Sequence, residues 1–164
     1  MSRSNPSTES EPFVSMKRRR GGPSYYLAVF HASPLERIDM IKHGVRAVEA
    51  KRILADLAIG QGAGLKALNL SPATVNKKAK QDQTLSPEDS ERVIGIAKLV
   101  GQLEAIIQDS GDPKGFDPTA WMARWLDDPL PALGGARPIE LMDTMEGQAL
   151  VSTLLAQLQS GAYA

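Results

Sequence analysis

A chain of 164 residues holds one compact domain or two small ones, and 42% hydrophobic with 23% charged residues is enough to bury a core and stay in solution. It has no cysteine, which excludes disulfides, thiolate metal sites and cysteine nucleophiles. Its 5% aromatic content is thin for a β-sandwich, and its longest apolar run, around Tyr25 to Phe30, is far short of a membrane span. The zero net charge conceals a division: residues 1–80 carry fourteen Lys and Arg against six Asp and Glu, residues 81–164 five against thirteen.

A basic front half attracts phosphate backbones, whereas an acidic back half is repelled by them, so the two ends suit different partners. Residues 1–24 are predicted as a disordered basic tail. Ser, Asn, Pro, Thr and Glu dominate its first dozen positions, and Lys17-Arg18-Arg19-Arg20-Gly21-Gly22-Pro23 follows. That run fits a nucleic-acid arm and a solvated tail equally well. Tyr25 to His31 reads as the one strand-like stretch, an extended lead-in. Pro34 then opens a short helix with Leu35, Ile38 and Ile41 at spacing three and Gly44 past its end.

Ala47 to Ile59 is predicted helical, with Val48, Ile53, Leu54, Leu57 and Ala58 on one face, and Gly60-Gln61-Gly62-Ala63-Gly64 is expected to break it. No strand precedes those glycines and no Lys-Ser/Thr pair follows, so a linker explains them better than a phosphate loop. Short helices fit Leu65 to Leu68 and Pro72 to Lys80. A longer one starts at the cap Ser86 with Pro87 at its first position and Asp89 three residues after the cap. Its core-facing stripe is Val93, Ile96, Ala97, Val100, Leu103 and Ile107. Ile94, Leu99 and Ile106 form a second stripe, expected to serve a dimer interface or extra packing within the chain. Ser110-Gly111-Asp112-Pro113 marks a candidate domain boundary.

The pattern then restarts. Asp117-Pro118 caps a helix lined by Trp121, Met122, Trp125 and Leu126, ended by Pro129 and Pro131. Gly134-Gly135 makes a turn, Pro138 opens a short helical piece with Ile139, Leu141 and Met142, and Thr144 caps the last helix. There Val151, Leu154, Leu155 and Leu158 form one stripe, with Gly161 as the residue after its end. The predicted fold class is all-α: an N-terminal helix-turn-helix domain followed by a small helical domain.

Chemistry concentrates in Leu65-Lys66-Ala67-Leu68-Asn69-Leu70-Ser71-Pro72-Ala73-Thr74-Val75-Asn76-Lys77-Lys78. A short helix meets a turn, Leu70 plugs the angle, and Ser71 caps a second helix whose Val75 faces inward. Ser71, Thr74, Asn76, Lys77, Lys78 and Lys80 are then the candidate DNA-binding residues. Free amides at the helix start favour a phosphate, Asn76 suits an adenine edge, and the lysines suit the backbone. The same spacing also fits a helical hairpin with a solvated lysine face. Two histidines, His31 and His43, stand without acids at metal spacing, and Asp127-Asp128 is explained by helix termination; no catalytic constellation, metal site or cofactor is read, and the chain is expected not to be an enzyme.

The last fifty residues carry a long gapped pattern: Ala123-Arg124-Trp125-Leu126-Asp127-Asp128-Pro129, Pro131-Ala132-Leu133-Gly134-Gly135, Arg137-Pro138-Ile139-Glu140-Leu141, Asp143-Thr144, Glu146-Gly147, Val151, Leu154, Leu158 and Gly161-Ala162-Tyr163. It resembles the C-terminal toxin-binding domain of the Xre/MbcA/ParS antitoxins, partners of RES-domain toxins. Leu85 to Arg92 resembles the segment after that family's helix-turn-helix, so the likeness spans roughly residues 44–164.

The resemblance implies a type II antitoxin that binds an NAD-consuming RES toxin, places its C-terminal helix and tail at the mouth of the NAD cleft, and represses its own operon. It matches the domain motif at Trp125, Leu126, Leu133, Gly134, Gly135, Pro138 and Leu141, most of which are expected to build core and turns. The expected toxin contacts are Gln157, Gln159, Ser160, Tyr163 and Ala164, the last offering a carboxylate to arginines that hold NAD phosphates. The expected division is a tail over 1–24, a DNA-binding and dimerising part over 25–110 and a toxin-binding part over 111–164. A cytoplasmic homodimer on operator DNA, with no membrane partner, completes the expectation. The competing reading is a stand-alone helix-turn-helix regulator whose C-terminal domain binds another protein.

Overall fold

A computed structural model describes residues 24–161. Eight α-helices follow in order: α1 Tyr25–His31, α2 Pro34–His43, α3 Ala47–Asp56, α4 Gln61–Ala67, α5 Pro72–Lys80, α6 Pro87–Asp109, α7 Pro118–Asp127 and α8 Met145–Gln159. Two 3-10 turns, Pro131–Leu133 and Pro138–Leu141, join α7 to α8. The expected all-α class holds. Among the described residues the sole extended pairing is an isolated bridge between Arg46 and Thr84. The basic run Lys17–Arg20 lies outside the described residues.

Local signals set most helix starts. The hydroxyls of Ser33, Ser71, Ser86 and Thr144 and the carboxylate of Asp117 each accept a backbone N–H from three residues on. Those hydrogen bonds, from Ala120 N–H and the Thr119 hydroxyl, hold the Asp117 carboxyl below its ordinary pKa.

The 23-residue helix α6 is the spine. Its stripe of Val93, Ile96, Ala97, Val100 and Leu103 is buried, and one hydrophobic cluster runs through the molecule from Tyr26 to Leu155. The second stripe behaves differently from a dimer seam: Ile94 and Leu99 are buried within the chain, and Ile106 packs partly buried against the core. The packing alternative accounts for these three side chains.

The expected strand at Tyr25–His31 is corrected to helix α1. Ser24 caps it by accepting the Leu27 N–H at 3.0 Å, and Tyr26, Leu27 and Val29 are buried. Aromatic and β-branched residues favour strands only weakly, and burial against α6 overrides that preference. The crossing is close because α6 carries glycine there: a Cβ on Gly101 would lie 1.9 Å from the Tyr26 carbonyl oxygen. The Tyr26 hydroxyl donates to Asp56 at 2.6 Å, tying α1 to α3, and burial raises its pKa.

Two further expectations shift. Helix α3 ends at Asp56 rather than Ile59, because Ala58 takes a left-handed φ of 52°. Its buried face is Ala47, Ala50, Ile53, Leu54 and Leu57, while Val48 and Ala58 are exposed. The glycine stretch does not separate helices as a whole: Gly60 caps α4, and Gly62 and Gly64 lie inside it. Gly64 sits against Leu54, where an added Cβ would come within 2.9 Å of that side chain.

Candidate functional site

Helices α4 and α5 form the expected helix-turn-helix. Asn69 takes φ 54°, which turns the chain, and the Leu70 N–H donates to the Leu65 carbonyl at 2.8 Å. Leu70 is buried in the angle, the Ser71 hydroxyl accepts the Thr74 N–H at 3.3 Å, and Val75 is fully buried. That single inward anchor leaves Ser71, Thr74, Asn76, Lys77 and Lys80 exposed and Lys78 half-buried. Five of the six candidate DNA-binding residues thus lie on one nine-residue helix with an open face, and the sixth, Ser71, is its cap. Arg92 of α6 braces the turn: its guanidinium donates to Asp89 at 2.6 Å and lies 3.4 Å from the Asn69 carbonyl.

The second candidate region is built on α7, the 3-10 turns and α8. Trp121 stacks on Trp125 with ring centroids 5.8 Å apart. Trp125, Leu126 and Pro138 are buried, Leu133 and Leu141 are half-buried, and Gly134 and Gly135 take φ of 65° and 89° in an exposed turn. These seven motif residues therefore sit as core and turn elements.

Helix α8 is clamped to α6 by two glutamines. The Gln148 amide donates to the carbonyls of Met142 at 2.9 Å and Arg92 at 3.1 Å, and its side chain lies across Gly95. Gln102 donates to the Ser152 carbonyl at 3.0 Å and accepts the Ser152 hydroxyl at 2.7 Å. Buried amides satisfied on both sides fix a helix in one register.

Beyond those clamps α8 outruns the body. Val151, Leu154 and Leu155 are buried, but Leu158, next in the same stripe, is 38% exposed. Gln157, Gln159 and Ser160 around it are exposed, while Tyr163 and Ala164 lie outside the described residues. The structure thus groups three of the five expected contact residues around an apolar side chain that periodicity alone assigns to the core. Leu150, on the same helix, is also exposed. No signal in the sequence separates Leu158 from Leu154; only the length of the surface opposite α8 does so.

Between the two regions lies a cleft of about 610 Å³, walled by Ile59, Lys66, Leu126 and Ile139 among others. Its rim charges are mostly matched, since Arg137 pairs with Asp127 at 2.8 Å and lies 3.7 Å from Glu140. Among the described residues no group of three His, Asp or Glu is placed to hold a metal ion, and no helix is long and apolar enough to cross a membrane.

Residues 36–98 match the antitoxin Xre-like helix-turn-helix domain, and residues 102–161 match the antitoxin Xre/MbcA/ParS C-terminal toxin-binding domain. The chain is 54% identical over 158 residues to a Prs ADP-ribosylating antitoxin of Sphingobium sp. strain YBL2, covering 96% of this chain and 99% of the relative. The chain belongs to the Xre/MbcA/ParS antitoxin family. Two proteins named antitoxin Xre are more distant. That of Pseudomonas putida KT2440 is 26% identical over 88 residues, 54% of this chain and 50% of its own. That of Yersinia enterocolitica 8081 is 27% identical over 126 residues, 77% and 80% respectively. The α4–α5 unit falls inside the helix-turn-helix match of this antitoxin, and all of α7 and α8 falls inside its toxin-binding-domain match.

Proposed function

We propose that this antitoxin neutralises a RES-domain toxin by seating the last turn of α8 in the mouth of the toxin's NAD site, and that it represses its own operon in the cytoplasm as a dimer on operator DNA. Residues 25–110 serve as the DNA-reading and dimerising part and residues 111–164 as the toxin-binding part. The protein itself catalyses nothing. The observation that carries the toxin reading is the overhang of α8: an apolar stripe whose final residue, Leu158, has no core to enter. A partly exposed leucine ringed by Gln157, Gln159 and Ser160 has the make-up of an interface anchor with a polar surround. Tyr163 and Ala164 are assigned to the same contact.

The relative's name supports an NAD-consuming partner. It refers to ADP-ribosylation, and ADP-ribosyl transfer draws its group from NAD. A short polar segment that fills such a cleft competes with the dinucleotide by occupancy alone.

The DNA reading rests on the charge division and on the open face of α5. Lys77 and Lys78 contact phosphates, Ser71 and Thr74 sit at the amide-rich helix start, and Asn76 meets a base edge. Replacing Lys77 and Lys78 with Ala should weaken binding to operator and random duplexes alike, and should lower the slope of log affinity against log salt by about 2, roughly one per lost contact. Toxin neutralisation should be unchanged. Filter binding across a salt series reads both quantities, and an unaltered slope removes these lysines from the interface.

A further inference from the structure

Among the described residues one buried side-chain nitrogen has no hydrogen-bond partner, Nε of Arg92 on α6. The side chain is only 18% exposed, and a buried donor left unpaired lowers stability. A methionine would fill the same space without that cost, so bulk does not account for an arginine here. Charge does not account for it either. A terminal nitrogen of Arg92 lies 2.6 Å from the carboxylate of Asp89, itself 23% exposed, so the pair offers little free charge to a polyanion.

Its reach does account for it. The nitrogen held by Asp89 also donates to the Asn69 carbonyl at 3.4 Å, twenty-three positions back in the chain. Asn69 is the residue on which the helix-turn-helix bends, with φ of 54°, and Ser71, two positions on, caps α5. Helix α5 itself has one buried residue, Val75, and Leu70 enters the core just before it. Apolar contacts have no direction, so Leu70 and Val75 set how deep the helix sits and leave it free to rotate about the line that joins them. A helix with its side chains is about 10–12 Å across, so a rotation of about 6° about its buried edge carries a head group on the outer face through about 1 Å. The bond from Arg92 to the Asn69 carbonyl is directional and supplies the third point that a fixed orientation requires. Its base is firm, because Gln148 of α8 donates to the Arg92 carbonyl at 3.1 Å and lies across Gly95.

Base edges and phosphates respond differently to such a shift. A bidentate pair between Asn76 and a base is lost when its hydrogen bonds lengthen by about 1 Å, whereas a lysine on its flexible stem follows a phosphate. We propose that Arg92 is a positioning residue for DNA reading: it touches no DNA, and by fixing the rotation of α5 it sets discrimination between sequences rather than affinity for DNA in general. This rests on the reading of α5 as the helix that meets the bases.

The test uses the full chain and two duplexes of equal length, one enriched by wild type from a random pool and one with the same bases scrambled. Arg92→Met keeps the bulk and removes both hydrogen bonds. It should weaken binding to the enriched duplex about ten-fold or more, the worth of one good base contact, and binding to the scrambled duplex by less than about two-fold. The slope of log affinity against log salt should keep its wild-type value, because no phosphate contact is lost. Arg92→Lys keeps the charge and the stem but has no fork, and it should lose discrimination in the same direction. A thermal melt by circular dichroism identifies a variant that fails to fold, and Arg92→Lys then carries the test. Wild-type discrimination in both variants, or in Arg92→Lys alone, overturns the proposal. So does a slope lowered by about 1, which makes Arg92 a phosphate contact, and so does an equal loss on both duplexes, which makes it a general support of the fold. A pool from which wild type enriches no sequence overturns the DNA reading itself and the proposal with it.

Discussion

Removal of everything after Gln157 should abolish protection against the toxin while leaving operator binding at wild-type strength. The fold does not depend on these residues, because Leu155 is the last buried position of α8 and both glutamine clamps, Gln148 and Gln102, act earlier. What is lost is Leu158, Gln159, Ser160 and the residues beyond. One well-seated anchor contributes about 2–4 kcal/mol at an interface, so losing Leu158 together with its polar neighbours should lower toxin affinity at least ~1,000-fold. Leu158→Arg alone separates the anchor from the tail and should cost about 100-fold. Growth of cells co-expressing toxin and each variant, with calorimetric affinities of the purified pairs, reads both. A truncated chain that still protects fully places the inhibitory contact elsewhere.

The largest effect on stability is expected at Gly101. A methyl there would lie 1.9 Å from the Tyr26 carbonyl oxygen and 2.8 Å from the Phe30 Cβ, and a backbone atom in a helix cannot swing aside. Helix propensity favours Gly→Ala by about 1 kcal/mol, but forcing α1 away from α6 costs about 3 kcal/mol or more, since it strains the chain and uncovers Tyr26, Leu27 and Val29. The clash wins: Gly101→Ala should lower stability by about 2 kcal/mol net and Gly101→Val by more. Gly62 is the internal control. It lies in α4 with nothing within 4 Å of an added Cβ, so Gly62→Ala should gain up to about 1 kcal/mol. Urea midpoints measure both, and equal signs would contradict the account of the α1–α6 crossing.

These two glycines show what is legible in the chain and what is not. Caps are local, so Ser71, Ser86, Asp117 and Thr144 announce their helices within three residues, and the stripe of α6 is visible from its spacing. Gly101 carries no such message. Its smallness answers to Tyr26, a residue seventy-five positions earlier, and the aromatic composition of Tyr25 to Phe30 points toward a strand until α6 is there to cover it. The glycines at 60–64 misdirect for the same reason: Gly64 is small because Leu54 lies against it, a fact of packing rather than of turn chemistry.

The candidate sites divide in the same way. The helix-turn-helix is legible because Leu70, Ser71 and Val75 are fixed by their spacing to one another. The C-terminal motif is legible as a family pattern, but its residues mix two roles that only the packing separates. Trp125 and Leu126 are core, whereas Leu158 at the end of an identical-looking stripe is surface. A groove between α2 and α8 is invisible in sequence, since Ile38, Ile41 and Met145 gather only after α6 has brought their helices side by side.

The central claim is that the end of α8 and NAD compete for one pocket. Titrating the antitoxin against the proposed RES-domain toxin at rising NAD concentration tests it most directly. The account predicts that the apparent dissociation constant climbs in proportion to NAD once NAD exceeds its own dissociation constant, and that Leu158→Arg leaves this competition intact at weaker affinity. An antitoxin affinity unmoved by saturating NAD would contradict it.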